Sequence, residues 1–400
     1  MNAAPATRTL RILFVANTPR NPLKGASGCD IATIDALREQ GHHVDEIWDS
    51  DMQPRRIPHG NLHLLLELPS RFSHAVAKKT QNTVYDVIQV NECHAYKAAR
   101  QHRQARRPGI FVNRSHGWEP SGRRALAKWA AEMDRRSNWK KRASSTLSWI
   151  MERHNRLVVK YSDAMVVCSE DDRSSILGNY RADAASILAL PPGAPRDFIN
   201  EPIATHERSA QHLLHVGQFH PAKAPQIIAN VASQVLRTDP RAKFTWVCDQ
   251  RDHVAALSLL APDVLDRVSM LDWMDRSQLR QVYDRHAIFL FPSYTEGFSL
   301  TFLEALARGL CVVATRINGM KEVINDGANG YLFERDDVQG MAEQILKLFQ
   351  SPQLADLIGA AARQTAELYP WSASALKLES FYLDRLIHKQ KWVNYEVTSK

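Results

Sequence analysis

Short apolar runs alternate with amphipathic stretches along most of the chain. Arg11–Ala16 is almost wholly apolar after its first residue and too short for a helix, so it predicts a strand covered on both faces. Asp30–Gln40 places its apolar residues at helical spacing, and Gly41 follows as a C-cap. Val84–Val90, Ile110–Asn113 and Ala164–Cys168 predict three more strands. Strand–helix alternation of this kind predicts parallel βαβ units with right-handed crossovers. The pattern breaks at Leu190-Pro191-Pro192-Gly193-Ala194-Pro195, where three prolines and a glycine cannot continue an element. It then restarts with strands at Leu213–Val216, Phe244–Val247, Ile288–Phe291 and Cys311–Ala314. Helices are predicted at Ala224–Arg237, Gln278–Tyr283, Thr301–Ala307 and Val338–Phe349. The expected fold class is α/β, with two Rossmann-like doubly wound domains facing across a cleft. Ligands of such sheets bind outside the carboxyl ends of the strands.

Composition narrows the class. The chain has 400 residues, 44% of them hydrophobic and 24% charged, which excludes disordered, collagen-like and coiled-coil proteins. The apolar runs are too short to span a bilayer or to serve as a signal-peptide core. Cys29, Cys93, Cys168, Cys248 and Cys311 are scattered, odd in number and without a C-x-x-C pair. That argues against a disulfide framework or a zinc site, and for a reducing, cytoplasmic compartment.

The formal net charge of +8 is local. Residues 121–160 carry eleven Lys/Arg against three Asp/Glu, which leaves 40 basic and 40 acidic residues in the rest. On a helical wheel Leu126, Trp129, Ala130 and Met133 share one face, and Arg124, Lys128, Arg135 and Arg142 line up on the other. The plain reading is a helix packed by its apolar face with a solvated charged side. Two functional readings stand beside it: docking on an anionic membrane surface, and binding of an anionic acceptor. Nucleic acid is not expected, because no recognised binding module with interleaved aromatics is present.

The segment Pro292-Ser293-Tyr294-Thr295-Glu296-Gly297-Phe298-Ser299-Leu300-Thr301-Phe302-Leu303-Glu304 carries the most chemistry. It joins a predicted strand to a predicted helix. Gly297 permits a tight turn, and the amides of Phe298, Ser299 and Leu300 are then donors at a helix N-terminus, where anions bind. Phosphate oxygens would repel Glu304, so a ribose diol is its better partner. Glu296 would lie toward the far side of the phosphates. A capping or solvated carboxylate is the plain alternative for each.

This segment resembles the E-x7-E motif of the retaining glycosyltransferases of the GT-B fold, family four. The resemblance extends over nearly the whole chain. Ala164-Met165-Val166-Val167-Cys168-Ser169-Glu170 is similar to the strand closing that family's acceptor domain, and Pro191-Pro192-Gly193-Ala194 to its linker. His215-Val216-Gly217-Gln218-Phe219-His220-Pro221-Ala222-Lys223 resembles its V-G-R-x-x-x-x-K stretch. Ala314–Ile324 and Gly327-Ala328-Asn329-Gly330 match the loop after the next strand, and Tyr369-Pro370-Trp371-Ser372 resembles the start of a tail that crosses back to the first domain.

The resemblance implies an acceptor domain at 1–192, a donor domain at 193–370 and a returning helix at 371–400. It implies that Gly25-Ala26-Ser27-Gly28 is a glycine-rich loop approaching the donor, with Gly25 and Gly28 as its key members. Lys223 would bind the donor phosphates, Glu296 would contact the donor sugar near the reacting carbon, and Glu304 the ribose. His116, in Arg114-Ser115-His116-Gly117, would face the sugar from the acceptor side; a satisfied structural histidine is the alternative. Gln218 stands where the family has an arginine, so the charge on the phosphates loses one partner unless Arg316 replaces it. Asp249 and Asp272 replace expected glycines near the base pocket, so the nucleotide base does not carry over.

The implied activity is hexosyl transfer with retention, from a nucleotide-diphosphate sugar to a glycan or lipid-linked acceptor, without metal or other cofactor. The alternatives are a sugar-phosphate synthase or epimerase on the same fold, and a non-catalytic binding protein. The implied location is cytoplasmic, with peripheral attachment to the inner face of the membrane as one form of it.

Overall fold

The computed structural model describes residues 8–22, 25–118, 120, 122, 138–204 and 208–398, with the side chains of all of these except 138–146 and 392–398. It contains two six-stranded, wholly parallel sheets. The chain divides into two compact units, with boundaries between Pro191 and Pro192 and between Trp371 and Ser372.

The first unit holds β1 (Arg11–Val15), β2 (His43–Ile47), β3 (Val87–Asn91), β4 (Ile110–Arg114), β5 (Ala164–Val167) and β6 (Ile187–Ala189). Their order is β2-β1-β3-β4-β5-β6. The register pairs Val15 with Ile47 and Val90, and Asn91 with Arg114, so the carboxyl ends of β1, β3 and β4 share one edge. β3 and β4 are buried at every position because helices cover both faces. The expected start at Val84 falls three residues early. Val84 is 70% exposed, and the chain enters the sheet only at Val87.

The second unit holds β7 (Ser209–Val216), β8 (Lys243–Val247), β9 (Val268–Leu271), β10 (His286–Phe291), β11 (Cys311–Thr315) and β12 (Tyr331–Phe333), ordered β12-β11-β10-β7-β8-β9. Neighbouring residues face opposite ways. Leu213, Ile288, Leu290 and Val313 build one core, and Leu214, Phe289, Phe291 and Val312 the other. That is why these strands read as unbroken apolar runs.

Several segments differ from the sequence expectation. The first helix runs Gly25–Glu39, so Gly25 and Gly28 sit in its first turn and not in a loop. The Ser27 hydroxyl accepts from the Asn21 amide at 3.1 Å and donates to the Asn21 carbonyl, tying that turn to the chain before it. At Gly28 a Cβ would lie 2.7 Å from the Pro22 carbonyl oxygen, so close packing explains the glycine. The pattern of apolar residues does not mark β2, whose Asp45 and Glu46 interrupt it, nor the helices Leu68–Lys79 and Pro352–Glu367. Of the basic stripe, Arg124, Lys128 and Arg135 lie outside the described residues. Arg142 lies in the helix Asn138–Tyr161, and its side chain is also outside them.

The C-terminal helix Trp371–Thr398 belongs to the first unit from Ser372 onward. It buries Leu378, Tyr382 and Leu386 there. Lys389 donates to Asp163 at 2.8 Å and to the Gly109 carbonyl at 2.7 Å, and the Tyr382 hydroxyl donates to Gln89.

Candidate functional site

In the second unit two connections meet at the carboxyl edge of the sheet. β7 ends at Val216, and the chain turns through Pro221–Lys223 into the helix Pro225–Thr238. β10 ends at Phe291 and leads through Glu296 into the helix Leu300–Ala307. The two connections are strapped together, because the Ala222 carbonyl accepts from the Tyr294 amide at 2.8 Å. Within this frame Lys223 forms an ion pair with Glu296 and lies 5.4 Å from the centre of the Phe291 ring. Both side chains are largely buried, at 19% and 10% exposure, so the pair is shielded from water on most sides. Such an ion pair can reorganise around an arriving diphosphate, which would compete with Glu296 for the ammonium.

The Ser299 hydroxyl accepts from the Phe302 amide and so caps the helix Leu300–Ala307. Among the described residues no backbone carbonyl accepts from the amides of Phe298, Ser299 or Leu300. They remain donors at the positive end of the helix. Gly319 lets the Phe298 ring lie close, since a Cβ there would fall 2.2 Å from it.

Glu304 is buried, at 4% exposure. Tyr283 donates its hydroxyl proton to one carboxylate oxygen at 3.2 Å, and Arg276 donates to the other at 3.4 Å. Arg276 is itself gripped by Asp197 through two bonds of 2.8 Å and lies 4.8 Å from the centre of the Phe198 ring. Burial pushes the Glu304 carboxyl above its usual range, and the Arg276 charge and the Tyr283 hydroxyl pull against that without cancelling it. The sequence does not single out Arg276, Tyr283 or Asp197, because their relation to Glu304 exists only across three packed elements.

Gln218 is exposed at the end of β7, and its carbonyl accepts from the His220 amide. Arg316 pairs within its own unit. Its guanidinium is held by Asp326 at 2.8 Å, Glu334 at 3.4 Å and the Leu332 carbonyl at 3.3 Å.

In the first unit His116 follows the end of β4. Its Nε2 bonds Asp30 at 2.8 Å, and the other Asp30 oxygen accepts from the Asn91 amide at 2.7 Å. Burial works against an imidazolium, but the Asp30 charge and hydrogen bond outweigh it and hold the His116 pKa well above the usual histidine value. Gly25 and Gly28 belong to the same helix as Asp30. Among the described residues no group of three His, Cys, Asp or Glu side chains is placed to hold a metal ion.

Two parallel α/β units of this kind define the GT-B class of fold. Residues 210–351 match the family model described as glycosyl transferases group 1. D-inositol 3-phosphate glycosyltransferase of Corynebacterium diphtheriae is 27% identical over 244 residues, covering 57% of this chain and 57% of that protein. The match thus spans little more than half the length of such relatives. Sucrose-phosphate synthase of Thermosynechococcus elongatus is similar in structure, with a TM-score of 0.71, 19% identity and coverage of 94% of this chain and 98% of that one. HepE of Anabaena, solved with UDP-glucose, gives a TM-score of 0.64 at 17% identity, over 93% and 98% of the two chains.

Proposed function

We propose that the chain is a retaining, metal-independent glycosyltransferase that moves a hexosyl group from a nucleotide-diphosphate sugar to a glycan or lipid-linked acceptor in polysaccharide or glycolipid synthesis. The observation that carries this reading is one sheet edge of the second unit. It holds a shielded Lys223–Glu296 ion pair, a helix N-terminus with free amides, and a buried carboxylate at Glu304. Lys223 and the amides near Phe298 would take the diphosphate and offset the charge that grows on it as the sugar leaves. Glu304, oriented by Arg276 and Tyr283, would accept from the ribose hydroxyls. Glu296, freed from Lys223 by the phosphates, would turn to the sugar. The bond from the anomeric carbon to the diphosphate breaks and a bond to the acceptor oxygen forms on the same face. The acceptor proton passes to the departing diphosphate.

The relative named for D-inositol 3-phosphate supports an acceptor that carries phosphate, which suits the basic segment 121–160. An anionic membrane surface at the cytoplasmic face is the other partner that this segment fits. A non-catalytic binding protein is the second reading, favoured by exposed, uncharged Gln218 and by an Arg316 already committed to two carboxylates.

A thermal-shift panel of UDP, GDP and ADP, followed by nucleotide release from the matching sugar nucleotides, tests the proposal. The expected outcome is a raised melting point with one nucleotide and its release during turnover. Glu304→Ala should then weaken that nucleotide roughly ten- to hundredfold, the equivalent of about 1.5–3 kcal/mol for hydrogen bonds to a charged group. Binding without turnover would favour the second reading, and no shift with any nucleotide would reject both donor roles.

A further inference from the structure

Outside the basic segment 121–160 the chain is neutral in sum, and that balance conceals a second basic stretch. The helix Tyr96–Gln104, with Arg106 and Arg107 just after it, carries five Lys/Arg and no Asp or Glu. It buries Ala98, Ala99 and His102 and leaves Arg100 and Arg103 exposed. The helix Asn138–Tyr161 packs beside it in the first unit and buries His154, Asn155 and Val158. Trp149, Arg153, Arg156 and Lys160 of that second helix are exposed. At 3.6 residues per turn these four fall within about 60° of one another, so they form one stripe.

Contacts around Tyr161 join the two helices into one face. Arg103 donates to the Lys160 carbonyl at 2.7 Å, and Arg100 and Lys160 lie 5.8 and 5.5 Å from the centre of the Tyr161 ring. Like charges would push Arg100, Arg103 and Lys160 apart, and the ring and the carbonyl hold them together. Few carboxylates offset them. Glu152 accepts from Arg156 at 3.3 Å and from the Tyr180 hydroxyl at 3.0 Å, and Asp163 accepts from Lys389 at 2.8 Å. Among the described residues no carboxylate forms an ion pair with Arg100, Arg103, Arg153 or Lys160.

We propose that this face of the first unit docks on a bilayer containing anionic phospholipid, with Arg100, Arg103, Arg153, Arg156 and Lys160 over the phosphates and Trp149 at the headgroup boundary. This inference rests on the membrane reading of the basic segment given above, adds to it a helix distant in sequence, and does not involve the donor site. Charge selects an anionic partner. Shape selects a surface: the stripe runs about 16 Å from Trp149 to Lys160 at 1.5 Å per residue, so its charges suit a plane of phosphates better than one small anion. Trp149 selects lipid. It is 64% exposed at the end of a cationic stripe, where an indole can bury its apolar body and keep its N–H among the headgroups. Tyr161 is covered by Arg100 and Lys160, so its ring is not an open platform on which nucleic-acid bases could stack.

The test is co-sedimentation of the full chain with vesicles of phosphatidylglycerol and phosphatidylcholine, against vesicles of phosphatidylcholine alone. Binding should require phosphatidylglycerol. It should fall steeply as ionic strength rises from about 0.1 M to about 1 M, where the screening length shrinks from about 10 Å to about 3 Å. Arg153→Gln with Arg156→Gln, and separately Arg100→Gln with Arg103→Gln, should each weaken binding roughly twentyfold, at about fivefold per charge. The first pair is exposed on the stripe, so it keeps the proposal testable if the second pair does not fold. Brominated lipid should quench the fluorescence of the wild type more than that of Trp149→Phe. Vesicle binding unchanged in both double variants would overturn the proposal, as would equal affinity for duplex DNA at the same ionic strength. Displacement by inorganic phosphate beyond that by chloride at equal ionic strength would also overturn it, in favour of a discrete anion pocket. Nucleotide thermal shifts should be the same in the wild type and both double variants. A chain that binds vesicles but no nucleotide therefore loses the donor reading alone, and one that binds nucleotide but no vesicle loses this inference alone.

Discussion

Arg276 shows how one residue can set the chemistry of another. Its guanidinium holds Asp197 with two short bonds and reaches Glu304 with a longer third one. Glu304 is already pushed upward by burial, and Arg276 is the main influence pulling it back. The sign follows directly. Removing Arg276 raises the Glu304 pKa further, so its charged, hydrogen-bond-accepting form is lost at a higher pH. Arg276→Leu should shift the pH at which nucleotide binding fails on acidification upward relative to the wild type. Calorimetric titrations between pH 5 and 8 measure this. A uniform weakening with an unmoved midpoint would assign Arg276 to structure alone.

At the scale of elements, the segment between β10 and its helix depends on a glycine far away in sequence. Gly319 begins the second residue of the short helix Asn318–Val323, and its missing side chain makes room for the Phe298 ring. Gly319→Ala would place a Cβ 2.2 Å from that ring, so the ring must move and carry the Phe298 and Ser299 amides with it. The expected result is weaker nucleotide binding with a modest loss of stability, about 1–3 kcal/mol for an overpacked site. Urea unfolding beside calorimetry separates the two effects. Stability lost with unchanged nucleotide affinity would detach Phe298 from the donor site.

At the scale of the molecule, the two units respond to different perturbations. Deleting the chain from Ser372 removes Leu378, Tyr382 and Leu386 from the first unit, along with the Lys389–Asp163 bond. At roughly 1.5–3 kcal/mol for each buried side chain, the loss is on the order of 5 kcal/mol or more. Scanning calorimetry should show the first unit destabilised and the second melting as before. Acid should affect both. Burial depresses His94 to about 3 and His102 and His154 to about 4 in the first unit, and His215 and His286 to about 4 in the second. Their neutral forms favour the folded chain at neutral pH. Between about 6.5 and 4 the unfolded chain binds more protons, so stability falls as pH falls through that window. His116 carries the opposite sign. Urea midpoints at pH 7.5, 5.5 and 4.5 should decline in that order, and a level series would refute the burial argument.

The sequence by itself determined the two parallel sheets, because strands covered on both faces must be apolar at nearly every position, as in Ile288–Phe291. It also determined the linker, since Pro191, Pro192 and Pro195 exclude a continuing element, and the strand–turn–helix around Glu296 and Glu304. It misread Gly25 and Gly28 as a loop, because composition cannot tell a flexible turn from a glycine chosen for close approach to the Pro22 carbonyl. Only the tertiary structure decided which charges meet. Lys223 and Glu296 are 73 residues apart, and His116 and Asp30 are 86 apart. Strand and helix follow from local sterics and periodicity. An ion pair across such distances, and the protonation that it enforces, exists only once packing has brought its partners together and removed the water between them.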